Sequence, residues 1–536
     1  MDLTQEVQAW IADDPDPKTA AQLQQWLDSN NEVELRASFN GFLQFGTAGL
    51  RGPIRPGPSG MNRAVVGRAA AGIVAYMKER ELTSVVIGRD ARYGSEDFTF
   101  ETAEIMSGAG MRVYILPRPL PTPVLAFATN ELKCDVGIMV TASHNPPQDN
   151  GYKVYLGGIV DGIHYRGSQI ISPTDESIAK KIDSITSLAS QPRSNNWTVL
   201  GEEVVHKYVG VTSALAQRPG NLKIVYTAMH GVGTQTLQQV FHKAGFPQPI
   251  LVDAQAQPDP DFPTVAFPNP EEPGAIDLAL ETARTFEADL VIANDPDADR
   301  CAAAVKDPIK GWRMLRGDEL GVILGESIAR ATSKGILANS IVSSSILSKI
   351  AAHYKLEFKE TLTGFKWLAK IEGLTFGYEE ALGYAVDAIT VNDKDGISAA
   401  IKLAQIATDL AAENKTLLDL LDEVWDRHGF HATEQISIRL TDLSQVGVIM
   451  GSLRSNCPKE IAGRSVTSID DLANPSDGLP PTDGLRIWLE GGIRIIIRPS
   501  GTEAKMKCYI EAIAKDSATA QTVLDQLRAP LKELLS

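Results

Sequence analysis

The sequence predicts an α/β fold: three tandem α/β units that share a loop position around a central cleft, followed by a smaller C-terminal α+β domain. Three observations carry this. Helical segments alternate with short apolar strands from about residue 83 to residue 383. The segments Lys133–Pro146 (KCDVGIMVTASHNP) and Glu287–Arg300 (EADLVIANDPDADR) hold the same place in two successive units, and a third, shorter copy follows. The last hundred residues change pattern, with strands grouped beside two helices. A chain of 536 residues has room for about three or four domains. The boundaries fall at 1–40 for a helical arm, then 41–205, 206–312, 313–431 and 432–536.

Taken in order, the arm is expected to form short helices, one starting at Asp16-Pro17 with Asp as cap and Leu23, Trp26 and Leu27 on one face. Phe45–Gly52 (FGTAGLRG) is a glycine-rich loop suited to close approach of a ligand, with Arg51 able to grip a phosphate. The first unit has strands Val85–Ile87, Arg112–Leu116 and Val136–Val140. Beyond the last, two prolines block helix around Ser143, and Asn150-Gly151 reads as a turn. The second unit has strands Lys223–Tyr226 and Pro249–Asp253 and a third beginning near Ala288, which leads to Asp295. The third has strands Ser340–Ser344 and Leu356–Glu360, a helix starting at Gly364–Trp367, and a strand entering Gly377–Gly383. The C-terminal domain has strands Glu434–Leu440, Leu485–Leu489, Ile493–Ile497 and Met506–Ala514 and helices Ser444–Ser455 and Ala518–Leu535.

Several of these loops carry chemistry. Asp295, Asp297 and Asp299 lie at i, i+2 and i+4, and an extended loop would turn all three carboxylates to one side. Hard oxygen ligands of this kind suit Mg²⁺. A calcium loop is excluded, because its glycine position is Arg300 and its terminal glutamate position is Lys306. Arg498-Pro499-Ser500-Gly501-Thr502 follows a strand and offers a guanidinium, two hydroxyls and glycine-flanked N–H groups, a set that suits phosphate. Glu379 and Glu380 can accept hydrogen bonds from sugar hydroxyls.

Composition narrows the classes. The net charge of −16, without Lys/Arg blocks, argues against nucleic acid and anionic membrane partners, so a phosphate site needs a local basic cluster. The four cysteines form no CxxC, which argues against zinc or a disulfide framework. The start of the sequence lacks the basic and apolar pattern of a secretory signal, and no segment is apolar over the length of a membrane span. A cytoplasmic setting is expected. Oligomeric state is left open.

TASHNP followed by NGYK, with DPDADR, the Glu379-Glu380 loop and RPSGT, resembles the α-D-phosphohexomutases, and the order of motifs covers nearly the whole chain. Further stretches, FGTAGLRG, YTAMHGVG, FPNPEEPGA, TGFKW and DKDG, resemble the branch of glucose and pentose phosphomutases. The family's sugar loop reads GEES; this chain has YEEA, so Ala381 stands where the family has serine. The resemblance implies four domains, a phosphorylated Ser143, and Mg²⁺ on Ser143, Asp295, Asp297 and Asp299. It implies substrate contacts from Thr47, Arg51, His144, Lys366, Glu379, Glu380, Arg498, Ser500, Gly501 and Thr502. Arg300 would neutralise charge, and Lys153 and Lys394 are candidates for proton transfer. Small-molecule sugar phosphates would be substrates, with glucose 1,6-bisphosphate as activator and intermediate.

The implied activity is a phosphoglucomutase or phosphopentomutase. Phosphomannomutase and a metal-dependent phosphatase are the alternatives, and a non-catalytic sugar-phosphate sensor is disfavoured by the intact serine and metal loops. His230-Gly231-Val232-Gly233 with Asp253 also approaches a dinucleotide-binding pattern, although Thr236 occupies the third glycine position.

Overall fold

Asp2, Asp16 and Asn31 each accept a backbone N–H in the first turn of a short helix, which starts Leu3–Asp13, Pro17–Asp28 and Glu32–Ser38 where capping chemistry places them. Val7, Trp10, Leu23 and Leu35 are the buried faces of this arm, and Trp10 meets Phe39 edge-on. The structure is a computed structural model and describes residues 2–476, 478–499 and 505–535.

The chain divides into two compact units. One comprises Met1–Leu315, Ala369–Glu372 and Gly383–Asp409; the other comprises Arg316–Leu368, Gly373–Leu382 and Leu410–Ser536. In the first, Ser84–Arg89 is flanked in parallel by Arg112–Ile115 and Val136–Val140, and Trp197–Val199 extends the sheet beyond Arg112–Ile115. Val85, Val86 and Ile87 are buried on both faces, as parallel strands covered by helices must be. The helices are Arg63–Glu79, Ser95–Gly108 and Thr122–Glu131.

Asp149–Leu156 runs antiparallel to Val136–Val140, and Leu50–Pro53 runs antiparallel to it in turn. The expected turn at Asn150-Gly151 is therefore a strand. Asn150 is buried and its amide donates to Tyr93 O and Ser95 Oγ at 2.7 and 3.0 Å, so a partner in the fold outweighs its local turn preference. The reversal lies upstream, where Asn145 N bonds Ala142 O and Asp149 N bonds Pro146 O.

A second sheet in the same unit has the order Ile250–Leu251, Ile224–Thr227, Leu290–Ala293, Ala302–Asp307 and Gly311–Met314. The expected strand Pro249–Asp253 is shorter than predicted, because Asp253–Gln255 closes a single 3₁₀ turn.

In the other unit, Ile336–Ser340 lies parallel between Glu357–Thr361 and Leu374–Glu379. The strand expected at Ser340–Ser344 ends where it was predicted to begin. The serine run forms the following loop, and the strand uses the apolar residues before it. Six antiparallel strands build the C-terminal part, in the order Phe430–Arg439, Lys505–Ala514, Ile493–Pro499, Leu485–Leu489, Arg464–Asp471 and Glu460–Ile461. The last two were not predicted. Ile487, Ile495, Ile497, Cys508, Leu524 and Leu527 share its core, to which the final helix Ser517–Leu534 contributes.

Candidate active site

Ser143 sits in the loop after Val136–Val140, buried, with φ +52°. L residues other than Gly rarely adopt this left-handed region, which costs about 1–2 kcal/mol. The surrounding bonds hold it there. Ser143 N donates to Thr141 Oγ1 at 2.9 Å, and Thr141 Oγ1 donates to Asp90 at 2.7 Å. Arg92 donates to four carbonyls of the loop: Ser143 and Asn145 at 2.6 Å, Pro146 at 2.8 Å and Asp149 at 3.2 Å. Neither Arg92 nor Asp90 was singled out from the sequence, although both lie in the GRDAR stretch after the first strand.

Ser143 Oγ lies 2.8 Å from Asp295 Oδ2 and 3.2 Å from His144 Nδ1. The third-strand loops of the first two repeats thus meet, as the repeat predicted. One carboxylate oxygen from each of Asp295, Asp297 and Asp299 lies within 4.8 Å of the others, and all three residues are buried. The reason differs from the expectation of an extended loop. Ala298 has φ +53° and its N–H returns to Asp295 O at 2.8 Å, so a tight turn brings the carboxylates together. Gly231 packs against this turn: an added Cβ would stand 2.2 Å from Pro296 Cα, and Val232 N donates to Pro296 O. The dinucleotide reading fails here, because metal-loop backbone fills the space where a pyrophosphate would approach.

Lysines balance the acidic cluster. Lys153 Nζ lies 2.7 Å from Asp297 Oδ2 and 2.9 Å from Asp299 Oδ2. Lys394 Nζ lies 2.9 Å from Asp299 Oδ2 and 3.8 Å from Asp393. Thr122 Oγ1, which the sequence reading missed, donates to Asp297 Oδ2 at 2.6 Å. Burial and the charges of Asp297 and Asp299 push the Asp295 carboxyl well up from its ordinary value. Burial acts the same way on Asp297, but Lys153 and Thr122 outweigh it and hold that carboxyl low. Burial works against the Lys394 ammonium, yet Asp299 and Asp393 raise its pKa above the ordinary lysine value. Burial and the cations Arg300 and Arg51 keep His144 far below its usual range, so it is neutral.

Asp297 Oδ1 and Asp299 Oδ1 are buried with no hydrogen-bond partner among the described residues. Buried oxygens of ionised carboxylates left without a donor are costly unless a cation meets them. Three convergent carboxylates fit Mg²⁺, a hard ion that takes few protein oxygens.

Arg300 N donates to Asp295 Oδ1 at 3.0 Å, and its guanidinium reaches Glu271 at 4.0 Å. Arg51 Nη1 donates to Asn145 Oδ1 at 3.2 Å. Thr47 lies half-buried in the reversal where Gly46 and Gly49 bond each other.

The other unit holds the remaining candidates. Glu380 Oε2 accepts from Ser340 and Ser343, both at 3.1 Å, and its N–H donates to Ser343 Oγ at 3.0 Å. Glu379 Oε1 accepts from Gly364 N at 2.6 Å, two residues before half-buried Lys366. Arg498 bonds the Tyr509 hydroxyl, and Glu380 and Glu379 lie within electrostatic reach of that same tyrosine. Ser500, Gly501 and Thr502 lie outside the described residues. Among the described residues, no helix is long and apolar enough to cross a membrane.

Four family models match in sequence. They are the phosphoglucomutase/phosphomannomutase alpha/beta/alpha domains I, II and III, at residues 43–189, 203–311 and 316–428, and the family's C-terminal domain at 453–529. A probable phosphomannomutase of Haemophilus influenzae is 48% identical over 89% of this chain and 98% of its own. A human phosphopentomutase is 33% identical over 100% of this chain and 95% of its own. A phosphoglucomutase of Staphylococcus haemolyticus is 33% identical over 90% and 92%. Among solved structures, the Paramecium phosphoprotein parafusin in its open form aligns with a TM-score of 0.71 at 19% identity, covering 92% of this chain and 95% of that one.

Proposed function

The chain belongs to the α-D-phosphohexomutase superfamily and is a phosphosugar mutase, and from that premise we propose that it moves a phosphoryl group between the 1 and 6 positions of glucose or the 1 and 5 positions of a pentose. The carrier is phosphorylated Ser143 and the intermediate a sugar bisphosphate. The observation that carries this is Ser143 Oγ, 2.8 Å from Asp295, beside the convergent carboxylates of Asp297 and Asp299, whose buried Oδ1 atoms suit a cation.

In the first half-reaction, the free hydroxyl oxygen of a sugar monophosphate attacks phosphorus. The bond from phosphorus to Ser143 Oγ breaks, and the hydroxyl proton passes to a base. The bisphosphate then turns over, and its other phosphoryl group returns to Ser143 Oγ. Such transfers need in-line placement and charge neutralisation more than covalent help. Mg²⁺ on Asp295, Asp297, Asp299 and the phosphoserine would supply much of that neutralisation when bound. The residues of the chain supply the rest. Arg92 fixes the serine loop, and neutral His144 keeps a ring nitrogen 3.2 Å from Ser143 Oγ, within hydrogen-bond reach of the reacting oxygen. Lys394, which keeps its proton, acts on the transferred group as a charge or proton donor. Lys153, the other candidate for proton transfer, donates to Asp297 and Asp299 and can take the hydroxyl proton only as the neutral amine, after passing its own proton on. Glu379 and Glu380 orient sugar hydroxyls, and the loop beginning at Arg498 takes the phosphate that is not transferred.

The glucose and pentose reading is supported by relatives with those names that match over nearly the whole chain. Mannose phosphate is the second reading, favoured by the 48% identical relative. One carbon is worth only about 1–3 kcal/mol in a pocket. The test is kcat/KM for glucose 1-phosphate, ribose 1-phosphate and mannose 1-phosphate, with Mg²⁺ and a trace of glucose 1,6-bisphosphate, beside Ser143→Ala. Glucose or ribose 1-phosphate should rank first, and the variant should not isomerise either. A first rank for mannose 1-phosphate would select the second reading. Isomerisation surviving in Ser143→Ala would remove the phosphoserine, and steady phosphate release without isomerisation would make the protein a phosphatase.

A further inference from the structure

Lys394 stands in sequence between two buried carboxylates, and each is held by a side chain from a distant part of the chain. Gln169 Nε2 donates to Asp393 Oδ2 at 2.9 Å and lies 3.3 Å from the Tyr155 hydroxyl. Tyr208, fully buried in the helix Glu203–Ser213, places its hydroxyl 2.9 Å from both carboxylate oxygens of Asp395. Asp395 Oδ1 also accepts from Ile397 N and Ser398 N at 3.0 Å each, which fixes the start of the helix Gly396–Ala412. Gly396 is pressed so close to the Arg300 carbonyl that an added Cβ would stand 2.1 Å from it. The peptide of Lys394 is therefore pinned on both sides, while its ammonium reaches Asp299 at 2.9 Å.

A lysine head group rides on a flexible four-carbon stem, so its position is set by how firmly its backbone is held. We propose that Tyr208 and Gln169 are positioning residues for Lys394: they lock Asp395 and Asp393, and through them hold the ammonium where the phosphoryl group is transferred. Among the described residues, the hydrogen bonds of Tyr208 and Gln169 go to neither the metal carboxylates nor Ser143. The proposal rests on the reading above that Lys394 takes part in the transfer.

The test is a double-mutant cycle read by single-turnover transfer from phospho-Ser143 to a sugar monophosphate, so that slow variants remain measurable. Tyr208→Phe keeps the ring and removes only the hydroxyl; Gln169→Leu, at a half-buried position, is the second variant should the first fold poorly. Each should slow transfer by about tenfold with sugar KM changed less than twofold. In a Lys394→Ala background, each should cost nothing further. Equal slowing in both backgrounds would show a general structural role and overturn the proposal, as would unchanged transfer in both single variants. Full activity in Lys394→Ala alone would overturn the assignment of Lys394, and the proposal with it. The mutase reading would stand if Ser143→Ala were still inactive.

Discussion

At the scale of single residues, the acidic cluster shows how carboxylate oxygens are divided between lysines and a cation. Each of Asp297 and Asp299 uses Oδ2 for Lys153 and leaves Oδ1 buried without a donor. Two oxygens of ionised groups are thus left for a cation, which would offset the desolvation cost of burying them. Asp297→Asn replaces one anionic ligand by a neutral one. It should raise the half-saturating Mg²⁺ concentration by about tenfold or more, and EDTA should abolish turnover in the parent enzyme. Mg²⁺ titration of initial rates measures both, and an unchanged half-saturation would remove Asp297 from the ligand set. The triad was legible in the sequence because its own spacing carries the signal, even though a turn at Ala298 rather than an extended loop brings the carboxylates together. Thr122 and Arg92 were not legible. A lone threonine after a proline says nothing of an aspartate 175 positions away, and an arginine clamping four carbonyls looks like any other arginine until the fold is known.

At the scale of elements, strands with apolar runs were found, and the errors fell where polar residues are buried. Asn150-Gly151 has the local chemistry of a turn, yet it lies in a strand held on both sides by antiparallel neighbours. The serines after Ser340 carry loop chemistry, and their hydroxyls serve Glu380 and Glu511 instead of a sheet. Glycines make the same point, since a sequence does not tell a required glycine from a spare one. Gly396 begins its helix with no room for a methyl group against Arg300 O, whereas Gly447, inside the helix Leu443–Asn456, has nothing within 4 Å of its missing Cβ. Gly396→Ala should destabilise the protein by about 1–3 kcal/mol and lower turnover, because Arg300 and Lys394 must shift. Gly447→Ala should stabilise it by about 0.5–1 kcal/mol through helix propensity and leave turnover unchanged. Thermal melts with kcat compare the pair, and equal effects of both substitutions would contradict the argument.

At the scale of the molecule, the repeat made the order of domains legible, because the same strand–loop pattern recurs whatever else the sequence does. How the chain distributes itself was not legible. Residues 383–409, which lie inside the expected third domain 313–431, pack instead into the same unit as Ser143 and the metal loop, and this places Lys394 beside Asp299. Inside the other unit, a buried charge joins one part to another. Glu511, on the strand Lys505–Ala514, lies 2.9 Å from Arg494 and from His431, and it accepts from Ser344 Oγ at 2.6 Å and Ser345 N at 2.8 Å. It thereby ties the antiparallel sheet to the loop that follows the parallel strand Ile336–Ser340. Burial alone would raise its pKa, but Arg494, His431 and Ser344 bring it down to about 2 from 4.5. A carboxyl depressed in the folded state adds stability that is present above the unfolded value near 4.5 and is lost as pH falls toward 2. At about 1.4 kcal/mol per pH unit, this one group is worth on the order of 3 kcal/mol. The melting temperature should therefore fall steeply between pH 4.5 and pH 2.5, in excess of the general acid loss. Glu511→Gln, which keeps the two hydrogen bonds but not the charge, should melt lower at pH 7 and lose less on acidification over that window. Parallel melting curves for the two proteins across it would show that the Glu511 charge contributes nothing to joining the sheet to the Ser344 loop.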